Sequence, residues 1–423
     1  MLFLKTKVNS NIYRLASCLI LLGSLFSKGQ TSPYGLPFVD YSKNKISYAK
    51  DSSEMMDFFR KVDELRQGKR SKVTIVHYGG SHIQAGFWGD KIITNFQAIN
   101  NFEGGGLFIF PFKLASTNSP GYYKTFSTGK WKRYRCATIK ELCENLGMAG
   151  IAVVNNDSST TFGVKLTNTH HKKFNIIKVY HNFNSSFEIS IPESIGMQVA
   201  RKDMKEKGFT AFAFETFIDS VNFKLVKLDT NRKDFMLYGF SVENTNPGFY
   251  YAGFGVNGAS SDSYLKCNLF KEQLETLQPD LVVFSLGVND TQGKDFNKED
   301  YINHYDSMIA EVRKASPNCA ILLTTTTDNY IKIKGKKRRV SNTRTATAGE
   351  AMFEMMETHK AAVWDLYGLM GGYKSMNNWF KAGLAAKDKV HFNARGYGIV
   401  GQLMFDAIDK SYRYNSLIKE TKQ

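Results

Sequence analysis

Residues 73–90 read VTIVHYGGSHIQAGFWGD, and the reading of this stretch decides the fold. Residues 73–78 are mostly β-branched and aromatic, the composition of a short buried strand. Gly79 and Gly80 then free the backbone for a sharp turn, which presents Ser81 at the strand's carboxyl end. In open α/β sheets ligands bind at that edge. A serine held there can act as a nucleophile if the chain also supplies a base and donors for a developing oxyanion. Taken alone, the same turn is an ordinary strand-to-helix connection.

Around this stretch strand and helix patterns alternate. Met55, Phe58, Phe59, Val62 and Leu65 fall on one helical face behind Asp51-Ser-Ser-Glu54, which has capping-box spacing. Residues 83–101 pattern as helix and 107–112 as a second strand. Beyond 250, residues 260–277 read as one helix through Tyr264, Leu265, Leu269, Leu274 and Leu277. Strands follow at 281–286, 320–325 and 361–366. They are separated by a helix through Tyr301, Tyr305, Met308, Ile309 and Val312 and another over 346–359, and a last helix starts near Ala394. This rhythm predicts a mostly parallel sheet covered on both faces, a three-layer α/β/α sandwich.

From 113 to 248 the texture changes to short alternating segments at 162–166, 176–180, 187–191, 221–225 and 235–240, with polar turns between them. These predict an inserted antiparallel β-sandwich. Its aromatics Tyr122, Tyr123 and Trp131 are either core or sugar-stacking side chains. The expected organisation is a signal peptide at 1–29, an α/β domain in two parts at 30–112 and 249–423, and the sandwich at 113–248.

The signal peptide rests on Lys5, Lys7 and Arg14 ahead of an apolar run at 15–26, with Ser27-Lys28-Gly29 as the cleavage region. Leu15-Ala16-Ser17-Cys18 resembles a lipoprotein box, but the apolar run follows that cysteine, which favours a periplasmic or secreted protein over a lipidated one. No later stretch has transmembrane length. Of 423 residues with a net charge of +17, residues 1–29 remove four basic and no acidic ones, so the exported chain stays basic. A solvated basic surface or a polyanionic glycan partner fits that balance. Nucleic acid is not an expected partner of an exported chain, and the basic run KGKKRR at 334–339 reads as a loop. Cys136, Cys143, Cys267 and Cys319 lack zinc-site spacing, and a single bridge such as Cys136–Cys143 is the most they suggest.

Three further segments sit beside strand or helix ends. Gly258 lies in Gly255-Val-Asn-Gly-Ala259, where a backbone N–H stays unobstructed. Asn289 lies in Gly287-Val-Asn-Asp290, just beyond the strand at 281–286, with an amide able to donate to negative charge. Asp388 precedes His391 by three residues, a spacing at which a carboxylate can reach Nδ1–H and leave Nε2 free as a base. Each segment is weak alone.

In this order, Gly-x-Ser, Gly, Gly-x-Asn-Asp and Asp-x-x-His resemble the four blocks of the SGNH (GDSL-like) hydrolase superfamily, over about residues 70–112 and 250–412. The resemblance implies Ser81 as nucleophile, His391 as general base and Asp388 as its orienting acid, with an oxyanion hole from Ser81, Gly258 and Asn289. It implies no metal and no organic cofactor. One departure is that Gly80 stands where the family has aspartate, which bears on the order of the loop around Ser81. The inserted sandwich, with Trp364, Met370-Gly-Gly, Trp379 and DKVHFNARGY, is similar to secreted bacterial peptidoglycan O-acetyl esterases. The implied function is an exported serine esterase removing O-acetyl groups from a glycan, peptidoglycan first. An acetylxylan or other polysaccharide esterase, a glycan O-acetyltransferase and a lipase-type esterase stay open, as does a glycan-binding protein with a degenerate site.

Overall fold

The computed structural model describes residues 34–99, 101–140, 143–167, 171, 173–192, 198–229, 233–333 and 338–420. The segment at 1–29 and most of the basic run at 334–339 lie outside these residues. No helix among the described residues is long and apolar enough to cross a membrane.

Six parallel strands form the centre of the molecule. Their spatial order is Ala362–Trp364, Ala320–Thr324, Leu281–Ser285, Lys72–Gly79, Gly248–Gly255 and Gly104–Ile109. Strand Ile46–Tyr48 adds an antiparallel edge beside Ala362–Trp364. Successive strand side chains point to opposite faces, and two neighbours in the central strand show that both faces are covered. His77 packs on Trp88 of helix Phe87–Ile99 at 5.3 Å, whereas Tyr78 stacks on Phe270 of helix Phe270–Leu277 at 5.3 Å. The first layer is completed by Ser53–Arg66 and Ala394–Glu420, joined through Phe59–Tyr412 and Phe96–Phe405 contacts at 5.7 and 5.1 Å. Helices Lys298–Ala315 and Arg344–Thr358 belong to the second. The predicted three-layer α/β/α sandwich is the observed one.

The antiparallel strands expected between 113 and 248 are present, and they extend the same sheet. Strand Phe235–Asn244 pairs antiparallel with Gly104–Ile109 on one side and with Phe174–His181 on the other. Phe209–Ile218 and Val199–Met204 continue the row. A separate four-stranded sheet, ordered Phe187–Ser190, Ser220–Lys227, Ser159–Leu166 and Tyr123–Ser127, packs across this extension. Its Phe162 and Phe223 stack on Phe240 at 6.0 and 6.1 Å, giving the sandwich an aromatic core.

Several local expectations are corrected. Residues 260–277 are not one helix. Tyr264–Lys266 is a single 3-10 turn and Cys267–Leu269 pairs in parallel with Cys143–Gly147, so the α-helix begins at Phe270. The tertiary pairing outweighs helical periodicity, as tertiary context often does. The capping box also fails: Asp51 accepts from the Ser53 N–H at 3.1 Å, while Glu54 turns to Arg313 at 2.6 Å. Cys136 is a buried free thiol, so the suggested bridge to Cys143 does not form. Tyr123 is buried, its hydroxyl donating to Phe110 O at 2.9 Å. Tyr122 packs on Tyr123 and His171, and Trp131 packs edge-on to Phe162. These three aromatics belong largely to the interior.

Candidate active site

The central strand Lys72–Gly79 delivers Ser81 into a one-turn helix, Ser81–Gln84, at the sheet's carboxyl edge. The turn is held from beneath. The Tyr264 hydroxyl lies 2.9 Å from Gly79 O and 2.7 Å from Phe254 O, and Val256 N–H donates to Gly79 O at 3.2 Å. These bonds supply order in a loop that lacks the family aspartate. A Cβ at Gly80 would lie 3.2 Å from Asn289 Nδ2 and 3.3 Å from Ala259 O, so any side chain there presses on Asn289.

His391 closes the far end of the chain onto Ser81. Its Nε2 lies 2.8 Å from Ser81 Oγ, and its Nδ1 lies 2.7 Å from Asp388 Oδ2. The other carboxylate oxygen accepts from the N–H groups of Val390 and His391 at 2.9 and 3.1 Å. Burial opposes charge on Asp388, but the bond to His391 and these two N–H donors outweigh it and hold the carboxyl below its usual range. Between them, Lys389 sits in the left-handed region at φ 53°. Its ammonium lies 2.7 Å from Asn377 Oδ1 and over the rings of Tyr330 and Phe380 at 5.0 and 5.3 Å, which pins the turn.

Asn289 stands in helix Val288–Gln292, directly after strand Leu281–Ser285. Its Nδ2 donates one hydrogen to Ala259 O at 2.8 Å and carries a second. Gly258 has φ +85°, a conformation that favours glycine, and is one residue away. The two segments are latched together: Asp290 Oδ1 accepts from Ser261 N–H at 2.9 Å and from Ser261 Oγ at 2.6 Å. Burial raises the pKa of Asp290 despite those bonds.

Ser81, Gly258, Asn289 and His391 line one cavity of about 540 Å³, with Asp388 bonded to His391. Four segments distant in sequence thus meet at one place. The same wall contains Phe87, Asn118, Asn257 and Asn393, which sequence reasoning did not single out. Behind it lies buried Gln84, whose Oε1 accepts from Asn257 N–H at 2.7 Å while Nε2 donates to Asn118 O at 2.8 Å. Its partners lie 173 and 34 positions away, so no local pattern could have disclosed the network. His82, also unremarked, is buried with its ring stacked on His391.

Residues 234–399 match the GDSL-like lipase/acylhydrolase family. That span contains Gly258, Asn289, Asp388 and His391, while Ser81 precedes it and is brought in by the fold. A solved structure described as a peptidoglycan O-acetylesterase in action superposes with a TM-score of 0.64 at 17% identity, covering 87% of this chain and 99% of that one. A GDSL-like lipase from Bacteroides thetaiotaomicron matches at 24% identity over 38% of this chain and 76% of its own, with a TM-score of 0.31. A carbohydrate esterase family 3 protein from Talaromyces cellulolyticus matches at 16% identity over 40% and 73%, with a TM-score of 0.30. No curated protein matches the chain. The family match and the fold agree: residues 234–399 resemble a GDSL-like lipase/acylhydrolase, and the chain shares its fold with the first of these structures.

Proposed function

We propose that this chain is an exported serine esterase that removes O-acetyl groups from a cell-wall glycan, with O-acetylated peptidoglycan the favoured substrate. The observation that carries this reading is the relay Asp388–His391–Ser81, opening on a cavity whose wall is rich in amides: Asn118, Asn257, Asn289 and Asn393. Amides both donate to and accept from sugar hydroxyls, and Phe87, Phe392 and Tyr397 in the same wall offer apolar faces for a sugar ring. The likeness in fold to a peptidoglycan O-acetylesterase, spanning nearly all of that protein, supports the same substrate class. In this reading residues 113–248 form a carbohydrate-binding-like insertion within the hydrolase domain formed by 30–112 and 249–423.

In the proposed mechanism Ser81 Oγ bonds to the acetyl carbonyl carbon as its proton passes to His391 Nε2. Asp388 keeps Nδ1 protonated and stabilises the imidazolium. The oxyanion takes hydrogen bonds from the N–H groups of Ser81 and Gly258 and from the second Asn289 amide hydrogen. Removing one such donor typically costs about 100- to 1000-fold in rate. The bond to the sugar oxygen then breaks, and that oxygen leaves with the proton held on His391. Water attacks the acetyl-serine, returns a proton through His391 and releases acetate.

The test is acetate release from O-acetylated peptidoglycan, acetylated xylan and 4-nitrophenyl acetate by wild type and Ser81→Ala. Rapid release from the first, abolished by the substitution, is expected. Equal rates for the two proteins would remove Ser81 from the chemistry, and preference for xylan would move the substrate.

A further inference from the structure

The four-stranded sheet turns Phe162, Val164, Val221, Phe223 and Leu225 into the sandwich, so the residues alternating with them face outward. On that outer face Lys124 stands directly opposite Lys165 in the strand register. Like charges in facing positions destabilise a sheet. Lys224 is exposed two rows further along. Among the described residues none of these three lysines is in an ion pair, and Glu188 at the sheet's far edge is 3.9 Å from Arg201 instead. In the adjoining sheet, by contrast, Lys72 and Lys178 share Glu243 at 2.9 and 2.5 Å.

Between the lysine rows lies a flat apolar step. Phe126 is 39% exposed although it belongs to a strand, and it faces Gly163 in the register. A Cβ at 163 would come within 2.6 Å of the Phe126 ring, so the ring lies across the glycine. Asn222 flanks Gly163 on the other side. An aromatic ring laid flat, one amide beside it and uncompensated ammonium groups in the rows on either side make a surface complementary to a sugar ring that bears carboxylates.

We propose that this face is a second carbohydrate site that holds an acidic, carboxylate-bearing polysaccharide, with Lys124, Lys165 and Lys224 taking the charges and Phe126 a sugar ring. The proposal rests on the reading of the chain as a glycan esterase and adds a place where the polymer is gripped away from Ser81. The face is close to the cavity. Asn118 lines the cavity wall and precedes Lys124 by six residues, which span at most about 20 Å when fully extended. That connection is anchored, since Gln84 holds Asn118.

Binding is measured with the full chain carrying Ser81→Ala, by cosedimentation with O-deacetylated peptidoglycan, with chitin as a neutral polymer and with phosphatidylglycerol vesicles. Retention on peptidoglycan is expected, weakened about tenfold by Lys124→Gln/Lys165→Gln/Lys224→Gln together and by salt raised to about 0.5 M. Phe126→Ala weakens retention without changing its salt dependence. Arginine at the three lysine positions preserves binding, and the glutamine variant melts no lower than its parent because a repulsion has been removed. Unchanged binding by the glutamine variant, equal retention on chitin, or binding to vesicles but not to peptidoglycan would each overturn the proposal. Because no turnover is involved, a failed acetate-release assay overturns the esterase reading alone, whereas normal release without retention overturns this surface alone.

Discussion

The imidazole of His82 lies over that of His391, ring centroids 5.3 Å apart and planes inclined by 27°. Burial first, and then the neighbouring His391, push the pKa of His82 down to about 3, so it faces the base as a neutral ring. Its Nδ1 is 3.2 Å from the Tyr397 hydroxyl, which fixes its plane. When His391 accepts the serine proton, the new cation meets an aromatic face rather than a second charge. His82→Ala is expected to lower kcat about tenfold with little change in KM, whereas His82→Phe keeps the stack and most of the rate. Steady-state kinetics that separates kcat from KM for the two variants checks this.

Asp388 does two things at once, setting the tautomer of His391 through Oδ2 and the turn through Oδ1. Asn can retain the second role but not the first. Asp388→Asn is therefore expected to fold normally by circular dichroism and to lose about 1000- to 10,000-fold in kcat.

Gly80 and Ser261 each touch the segments that carry the proposed oxyanion donors Asn289 and Gly258. Gly80→Ala places a Cβ 3.2 Å from Asn289 Nδ2 and must shift it by a few tenths of an ångström. Ser261→Ala removes one of the two bonds latching the Gly258 segment to Asp290. Each is expected to lower kcat about three- to tenfold while KM for 4-nitrophenyl acetate holds, and steady-state kinetics separates the two constants.

Stability should fall in mild acid. Burial holds His77 and His82 at about 3 and His181 at about 4, below the ordinary 6.5. The unfolded chain takes up those protons as pH drops below 6.5, while the folded chain does not. Stability is thus fully present above that pH and is lost between 6.5 and about 3, at up to about 1.4 kcal/mol per pH unit for each group. Asp328, raised to about 6 by burial, works in the opposite direction below pH 6. The net expectation is a lower Tm at pH 5 than at pH 7. His77→Gln, whose amide can still bond Ser285 or Tyr251, flattens that dependence in calorimetry.

Much of the fold could be read where local composition and tertiary need agree. The apolar strand ahead of Gly79 and the buried face Met55, Phe58, Phe59, Val62 and Leu65 stand as their patterns imply. Ser81, Gly258, Asn289, Asp388 and His391 could be singled out because each sits beside a strand or helix end, where spacing carries geometric meaning. Pattern failed where a distant partner decided the matter. Cys267–Leu269 breaks a helical periodicity because a strand more than a hundred positions earlier pairs with it. Tyr123 and Phe126 are three residues apart in one strand, and alternation separates them into buried and exposed, but only the register says which faces out. Gln84 and His82 had no signal, since their importance is entirely in what they touch.

Strand Phe235–Asn244 is hydrogen-bonded to Gly104–Ile109 of the central sheet over five register pairs, and the row continues unbroken into the insertion. The sheet that carries Phe126 is a separate one, packed on this row through Phe162 and Phe223 against Phe240. A polymer held on that sheet and deacetylated at Ser81 would be measured against a fixed ruler, so deacetylated positions should recur at a constant interval along each strand rather than at random.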